Sequence, residues 1–203
     1  MAERKSRGLA YALALVGGVL LGGGSALALS GLFPGLGVLS SGDINVRGWK
    51  SDWTIGSEAA DPYTRARVAR HGLLALARSE AVYFTRNTDD QGERLREKCR
   101  YRLSSGKMPA QWWSVTLYDA SSRLPMNRDG ALSVDASRAG DGEWSAIIAA
   151  QAPGEGLWLS SRGGGDFDLT LRLYVPDPRL IEDPAGTLSP PRIERLDCAG
   201  VAG

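Results

Sequence analysis

The sequence predicts a mainly β fold: an antiparallel β-sandwich with one helix near its start, behind one N-terminal transmembrane helix. Three observations carry this. Phe167 to Val175 alternates strictly, with Phe167, Leu169, Leu171, Leu173 and Val175 set against Asp168, Thr170, Arg172 and Tyr174, the period of a strand with two chemically distinct faces. The 26 Gly and 10 Pro of a chain that is still 43% hydrophobic imply many turns between short strands around a real core. From Gly8 to Gly42 no residue carries a charge.

That uncharged run decides placement. Leu9 to Phe33 is long enough to cross the ~30 Å hydrocarbon layer as a helix. Arg4, Lys5 and Arg7 stand just before it, and the next positive charges are Arg47 and Lys50. The positive-inside tendency then keeps residues 1–8 in the cytoplasm, with 9–33 as the span, 34–43 as a Pro/Gly/Ser linker and 44–203 as an exported domain. In a bacterial envelope this is a single span in the inner membrane with the domain in the periplasm. Two readings of the span remain open. Ala26-Leu27-Ala28 offers the small residues that a signal peptidase accepts, whereas apolar sequence continues through Leu29, Leu32 and Phe33, as in an uncleaved anchor. Within the span Ala10, Ala14, Gly18, Gly22, Ala26 and Ser30 recur every four residues, a ridge along which a second helix, from another membrane protein or a second copy, can approach closely. Gly22-Gly23-Gly24 would weaken an isolated helix by ~1 kcal/mol per residue relative to Ala.

The exported part has room for one compact domain. Asp61-Pro62 pairs an N-cap with Pro at the first helical position, predicting a helix to about Ala77. Its Ala66, Ala69, Leu73 and Leu76 share one face, while Arg67, Arg70 and His71 crowd the other. That basic stripe reads either as a solvated face or as a contact for an acidic partner or lipid headgroups. Alternation follows in Ala81 to Arg86, and the turn-like Asn87 to Gly92 predicts a hairpin. Further strands are expected over Cys99 to Leu103, Trp112 to Tyr118, Ala131 to Val134, Trp144 to Ala150, Leu157 to Ser160 and Arg192 to Leu196, the last after an irregular Pro-rich stretch. Neighbours on a strand face opposite ways, so one of Trp112 and Trp113 belongs to the core and the other to an outer face, where it packs or stacks on a flat ligand. Trp49 and Trp53, close in sequence to the span, are placed against the headgroup layer.

Chemistry is harder to find. Charge is nearly balanced, 24 Lys and Arg against 23 Asp and Glu, so the sequence lacks an electrostatic footprint for nucleic acid. One histidine, His71, excludes a multi-His metal centre, and no cofactor motif is present. Ser114 and Ser160 lie outside any Gly-x-Ser-x-Gly elbow. Asp119, Asp129 and Asp135 offer carboxylates, but nothing in the order of residues pairs them as glycoside chemistry requires. Gly163-Gly164-Gly165 lacks the Lys of a phosphate-binding loop and reads as a flexible turn. Cys99 and Cys198 are the only cysteines. In an exported domain they are expected to bond, closing a loop worth roughly 4 to 5 kcal/mol; two free thiols or a metal pair are the alternatives.

Three stretches carry a resemblance. Asp61-Pro62-Tyr63-Thr64-Arg65-Ala66, Trp112-Trp113-Ser114-Val115-Thr116-Leu117-Tyr118-Asp119 and Leu169-Thr170-Leu171-Arg172-Leu173-Tyr174 resemble the DUF1214 domain family, a bacterial family of unknown function often joined to a DUF1254 domain. Together they span about residues 60 to 196. The resemblance implies a sandwich of jelly-roll character, in a short membrane-anchored version of the family without the DUF1254 portion. It implies no catalytic residues.

Three functions are therefore expected in order. The first is a non-enzymatic accessory or scaffold subunit that binds a membrane-protein partner through its span, with the small-residue ridge, and through its β-domain. The second is a module binding a glycan, lipid or small apolar molecule through Trp112 or Trp113. The third is an enzyme of hydrolase type.

Overall fold

The computed structural model describes residues 2–29, 44–53, 62, 65 and 76–199. It divides into an apolar N-terminal helix and a mainly β domain, which belong to separate compact units; the second is Gly42–Ser57 with Ala75–Gly203.

Helix α1, Ala2–Leu29, runs unbroken through Gly22 to Gly24. Its apolar stretch Tyr11–Ala28 is uncovered. Leu13, Leu15, Leu20 and Leu21 are all well exposed, so this helix finds no core within the described residues.

The β domain is built from β1 (Ile44–Val46), β2 (Trp49–Ser51), β3 (Ala81–Arg86), β4 (Cys99–Ser105), β5 (Ala110–Asp119), β6 (Ser133–Asp135), the short α2 (Ala136–Ala139), β7 (Trp144–Ala149), β8 (Leu157–Ser160), β9 (Phe167–Pro176), the short α3 (Pro178–Glu182) and α4 (Pro184–Thr187), and β10 (Arg192–Cys198). These strands form two sheets. One has six strands in the order β1-β2-β3-β9-β5-β6, and the other has four in the order β10-β4-β7-β8. All pairs are antiparallel except β7 with β8.

The two sheets turn their apolar residues onto one core. Phe167, Leu169, Leu171 and Leu173 of β9 are fully buried, as are Val115 and Leu117 of β5. The register places Leu173 opposite Trp113, Leu171 opposite Val115 and Leu169 opposite Leu117, so apolar rows cross the sheet without a gap. Tyr101, Leu103, Ile148, Leu159 and Ile193 answer from the four-stranded sheet. Trp113 of one sheet stacks on Trp144 of the other with ring centres 4.4 Å apart. Tyr101 meets Phe167 edge-on at 6.0 Å. Cys99 and Cys198 stand directly opposite each other on β4 and β10 and form a disulfide.

Several expectations change. The chain after β3 does not return as its hairpin partner. Asn87 to Gly92 makes a tight turn held by Asp89, whose carboxylate accepts the N–H groups of Gln91 and Glu93; the chain then passes to the other sheet as β4, leaving β3 between β2 and β9. Trp49 is not at a surface: it is fully buried, with its indole N–H donated to the Pro191 carbonyl at 2.8 Å. Trp53 packs on Phe84 at 6.0 Å and donates to the Ile181 carbonyl. Val175, expected on the core face of β9, is exposed, because its φ of 47° turns the backbone out of the strand. The stretch between β9 and β10 is not irregular throughout. Asp177 and Asp183 each cap a short helix with Pro at its start, the same Asp-Pro signal read at Asp61-Pro62. Of that earlier helix, Pro62 and Arg65 are helical, Leu76 and Ala77 are not, and the rest lies outside the described residues.

Two measurements check this core. Leu171→Ala is expected to lower the unfolding free energy by about 2–5 kcal/mol in urea titration, since the site cannot collapse around the lost methyl groups. Reducing the disulfide should cost about 2–5 kcal/mol, and thiol labelling of the denatured, unreduced protein should find no free cysteine.

Candidate functional site

The outer face of the six-stranded sheet is where the chain concentrates unusual chemistry. The register that buries the leucines of β9 points Thr170, Arg172 and Tyr174 the other way, opposite Thr116, Ser114 and Trp112 of β5 and Thr85, Tyr83 and Ala81 of β3. The result is a continuous patch of hydroxyls and aromatic rings around one cation. The alternation predicts a solvated face, but only part of it is wet. Ser114, Thr116, Thr170 and Tyr83 are buried, whereas Trp112 keeps 38% of its surface exposed. Longer side chains lie down over the small ones. Arg172 donates to Thr116 Oγ1 at 3.0 Å and to the Tyr118 hydroxyl, with its guanidinium carbon 5.4 Å from the Tyr118 ring centre. Trp112 leans on Tyr174 with ring centres 5.3 Å apart and donates its indole N–H to Ser137 Oγ at 3.0 Å.

Burial pushes the Tyr83 phenol above its ordinary value, the nearby Tyr174 adds to this, and Arg172 acts against it. Tyr101, inside the core, is raised by burial in the same way.

Arg172 is distinguished by what it lacks. Among the described residues every other arginine within a strand pairs with a carboxylate: Arg86 with Asp90, Arg100 with Asp197, Arg102 with Glu194, Arg192 with Asp90 and Arg195 with Asp89. Arg172 has only neutral hydroxyls.

The carboxylates singled out in the sequence are engaged separately. Asp119 accepts from the N–H groups of Ser121 and Arg123. Asp135 caps α2. Asp129 accepts from the Ser160 hydroxyl at 2.5 Å and pairs with Arg162, while Asn127 donates to the Arg162 carbonyl at 2.7 Å. This cluster ties a loop to the end of β8, with Ser160 fully buried and its hydroxyl donated to a carboxylate. The glycine run is likewise occupied: the N–H groups of Gly163 and Gly165 donate to the two oxygens of Glu97 at 2.9 and 3.0 Å. It is a nest for an anion, and the anion is supplied by the chain. No group of three His, Cys, Asp or Glu gathers among the described residues.

Of the other candidates, Trp113 is in the core and Trp112 on the outer face. Ala14, Gly18 and Gly22 of the ridge are exposed on α1 and Ala26 is half-buried; a methyl group added at Gly18 or Gly22 would meet no atom within 4 Å. Ala10 contributes helical backbone only, and Ser30, Arg67, Arg70 and His71 lie outside the described residues. Sequence reasoning missed Arg172. The available signal was a lone arginine between leucines in an alternating strand with no acid at a cross-strand position.

A two-sheet, mainly β domain with a polar-aromatic outer face and its acids engaged in loop caps defines the class of protein. Residues 80–178 match the family described as protein of unknown function (DUF1214). The match contains two of the three stretches that carry the resemblance and leaves out Asp61 to Ala66. A comparison with curated proteins finds no match. Among solved structures, the chain is similar to the VPA0106 protein from Vibrio parahaemolyticus, at 23% identity and a TM-score of 0.54, over 68% of this chain and 36% of that one. It is also similar to a putative uncharacterized protein from Burkholderia cenocepacia, at 18% identity and a TM-score of 0.43, over 60% of this chain and 31% of the other. The first likeness supports the two-sheet fold. The chain spans about a third of the length of each.

Two outcomes test the local chemistry. Glu97→Ala is expected to lower stability by about 1–3 kcal/mol, since two N–H donors lose a charged acceptor, read as a fall in the urea midpoint. Tyr83 and Tyr101 hold their protons more tightly folded than unfolded, so their contribution is complete below the ordinary phenol value of 10.0 and is lost as pH rises through the raised folded values. The midpoint should therefore fall above that pH, and less steeply in Tyr83→Phe.

Proposed function

We propose that the chain is an accessory subunit tethered to the bacterial inner membrane, with α1 as its single span and the β domain, of jelly-roll character, presented in the periplasm to a membrane-protein partner. One observation carries this reading: no residue of the apolar stretch Tyr11–Ala28 of α1 is buried, and arginine and lysine precede it. Such a surface is stable in lipid or against another helix and not in water. The exposed small residues Ala14, Gly18 and Gly22 are where a partner span would approach.

Membrane fractionation followed by affinity purification in mild detergent tests it. The full chain should resist carbonate extraction and bring down a stoichiometric membrane partner, and Gly18→Leu with Gly22→Leu should lose the partner while staying in the membrane. A strictly monomeric protein, or one released after cleavage at Ala28, would sink the reading.

The outer sheet face favours a second reading, a module that binds a small molecule. Arg172, half-buried and without a carboxylate partner among the described residues, is the observation behind it.

A further inference from the structure

The geometry points to a binding site for a small monocarboxylate with a flat apolar body on the outer face of the six-stranded sheet, with Arg172 taking the carboxylate and Trp112 with Tyr174 taking the body. This rests on the second reading above and is independent of the tether.

A guanidinium has five N–H donors in a rigid fork. Arg172 uses them on Thr116 Oγ1 and the Tyr118 hydroxyl, both neutral, and both hold the group in one orientation. Taking a cation partly out of water without a counter-charge is unfavourable. The other strand arginines avoid this by pairing, and here none of the described residues supplies the missing charge. One uncompensated positive charge fits one negative charge, which favours a monocarboxylate over a doubly charged phosphate. The planar fork matches a planar carboxylate at two points.

The rest of the patch sets the body of the ligand. Trp112 and Tyr174 form the cross-strand pair two residues from the pair of Ser114 and Arg172, about 7 Å along the strands, which is the span of one or two fused rings. Trp112 is exposed and held by Ser137, so an aromatic surface stands ready without reordering. A purely structural role for Arg172, covering the hydroxyl row, accounts for its two hydrogen bonds and leaves its charge unexplained.

The experiment uses the full chain in lipid nanodiscs and isothermal titration with naphthalene-2-carboxylate. Saturable binding at one site is expected, weakened about tenfold or more by Arg172→Gln and by exchange of the probe for naphthalene-2-carboxamide, because a charged hydrogen-bond pair is lost in each case. Arg172→Lys, which keeps the charge and loses the fork, should fall between. Trp112→Ala should also weaken binding, and circular dichroism confirms that each variant folds. If Arg172→Gln fails to fold, Trp112→Ala at its exposed position and the carboxamide comparison on wild-type protein make the same decision. Binding that survives Arg172→Gln overturns the proposal. Equal, Arg172-dependent binding of inorganic phosphate or dodecanoate overturns the ligand class while keeping the face as a binding site. No Arg172-dependent binding of any of these probes removes both.

Discussion

β9 lies between β3 and β5, and its alignment with β5 runs from Ala110 opposite Pro176 to Asp119 opposite Phe167. Side chains alternate along a strand, so this one register assigns every residue of both strands to the inside or the outside at once. A slip by one position would bring Thr170 and Arg172 into the space now filled by Leu169, Leu171 and Leu173, and would put those leucines on the outer face. The core forbids that, because an arginine there would be buried without any counter-charge. The same alignment sets Trp112 beside Tyr174 and Ser114 beside Arg172. Core and candidate site are two faces of a single decision, and hydrophobic burial inside holds a polar-aromatic patch in register outside.

Much of this was legible because period two leaves a strong mark. The alternation in Phe167 to Tyr174 located β9, and adjacent Trp112 and Trp113 had to part to opposite faces, as they do. The cysteine pair followed from there being two of them in a domain expected to be exported. What was not legible depended on partners distant in the chain. Asn87 to Gly92 carries every local sign of a hairpin, yet β3 finds better neighbours in β2 and β9, and no local signal encodes that choice. Trp49 reads as a membrane-proximal aromatic until Pro191, far along the chain, offers its carbonyl. The short helices after Asp177 and Asp183 did carry an Asp-Pro signal, but one turn is too short for helical periodicity to support it. The importance of Arg172 emerges only when its neighbours on β3 and β5 prove to be neutral.

The acidic residues show how a domain rich in loops is kept in one shape. Asp89, Asp119 and Asp135 each gather backbone N–H groups within a few residues, which satisfies donors that no strand pairs. Glu97 and Asp129 work at longer range, fastening the Gly163 to Gly165 loop and the end of β8. These five carboxylates are fittings of the scaffold. Against that background a cation without an acid stands out more sharply than its exposure alone would suggest.

The strand order also fixes a sequence of events in time. β4 is flanked by β7 and by β10, and β3 by β2 and β9, so each sheet contains a strand whose neighbour is made long after it. A chain emerging from its N-terminus holds β3 with one edge open until β9 appears and β4 with one edge open until β10 follows, and Cys99 has no partner until Cys198 arrives. Such late pairings slow folding and leave sticky edges on nascent chains. Neither sheet is complete before β9 and β10 exist, so β3 and β4 depend on residues about a hundred positions further along the chain as much as on their own sequence.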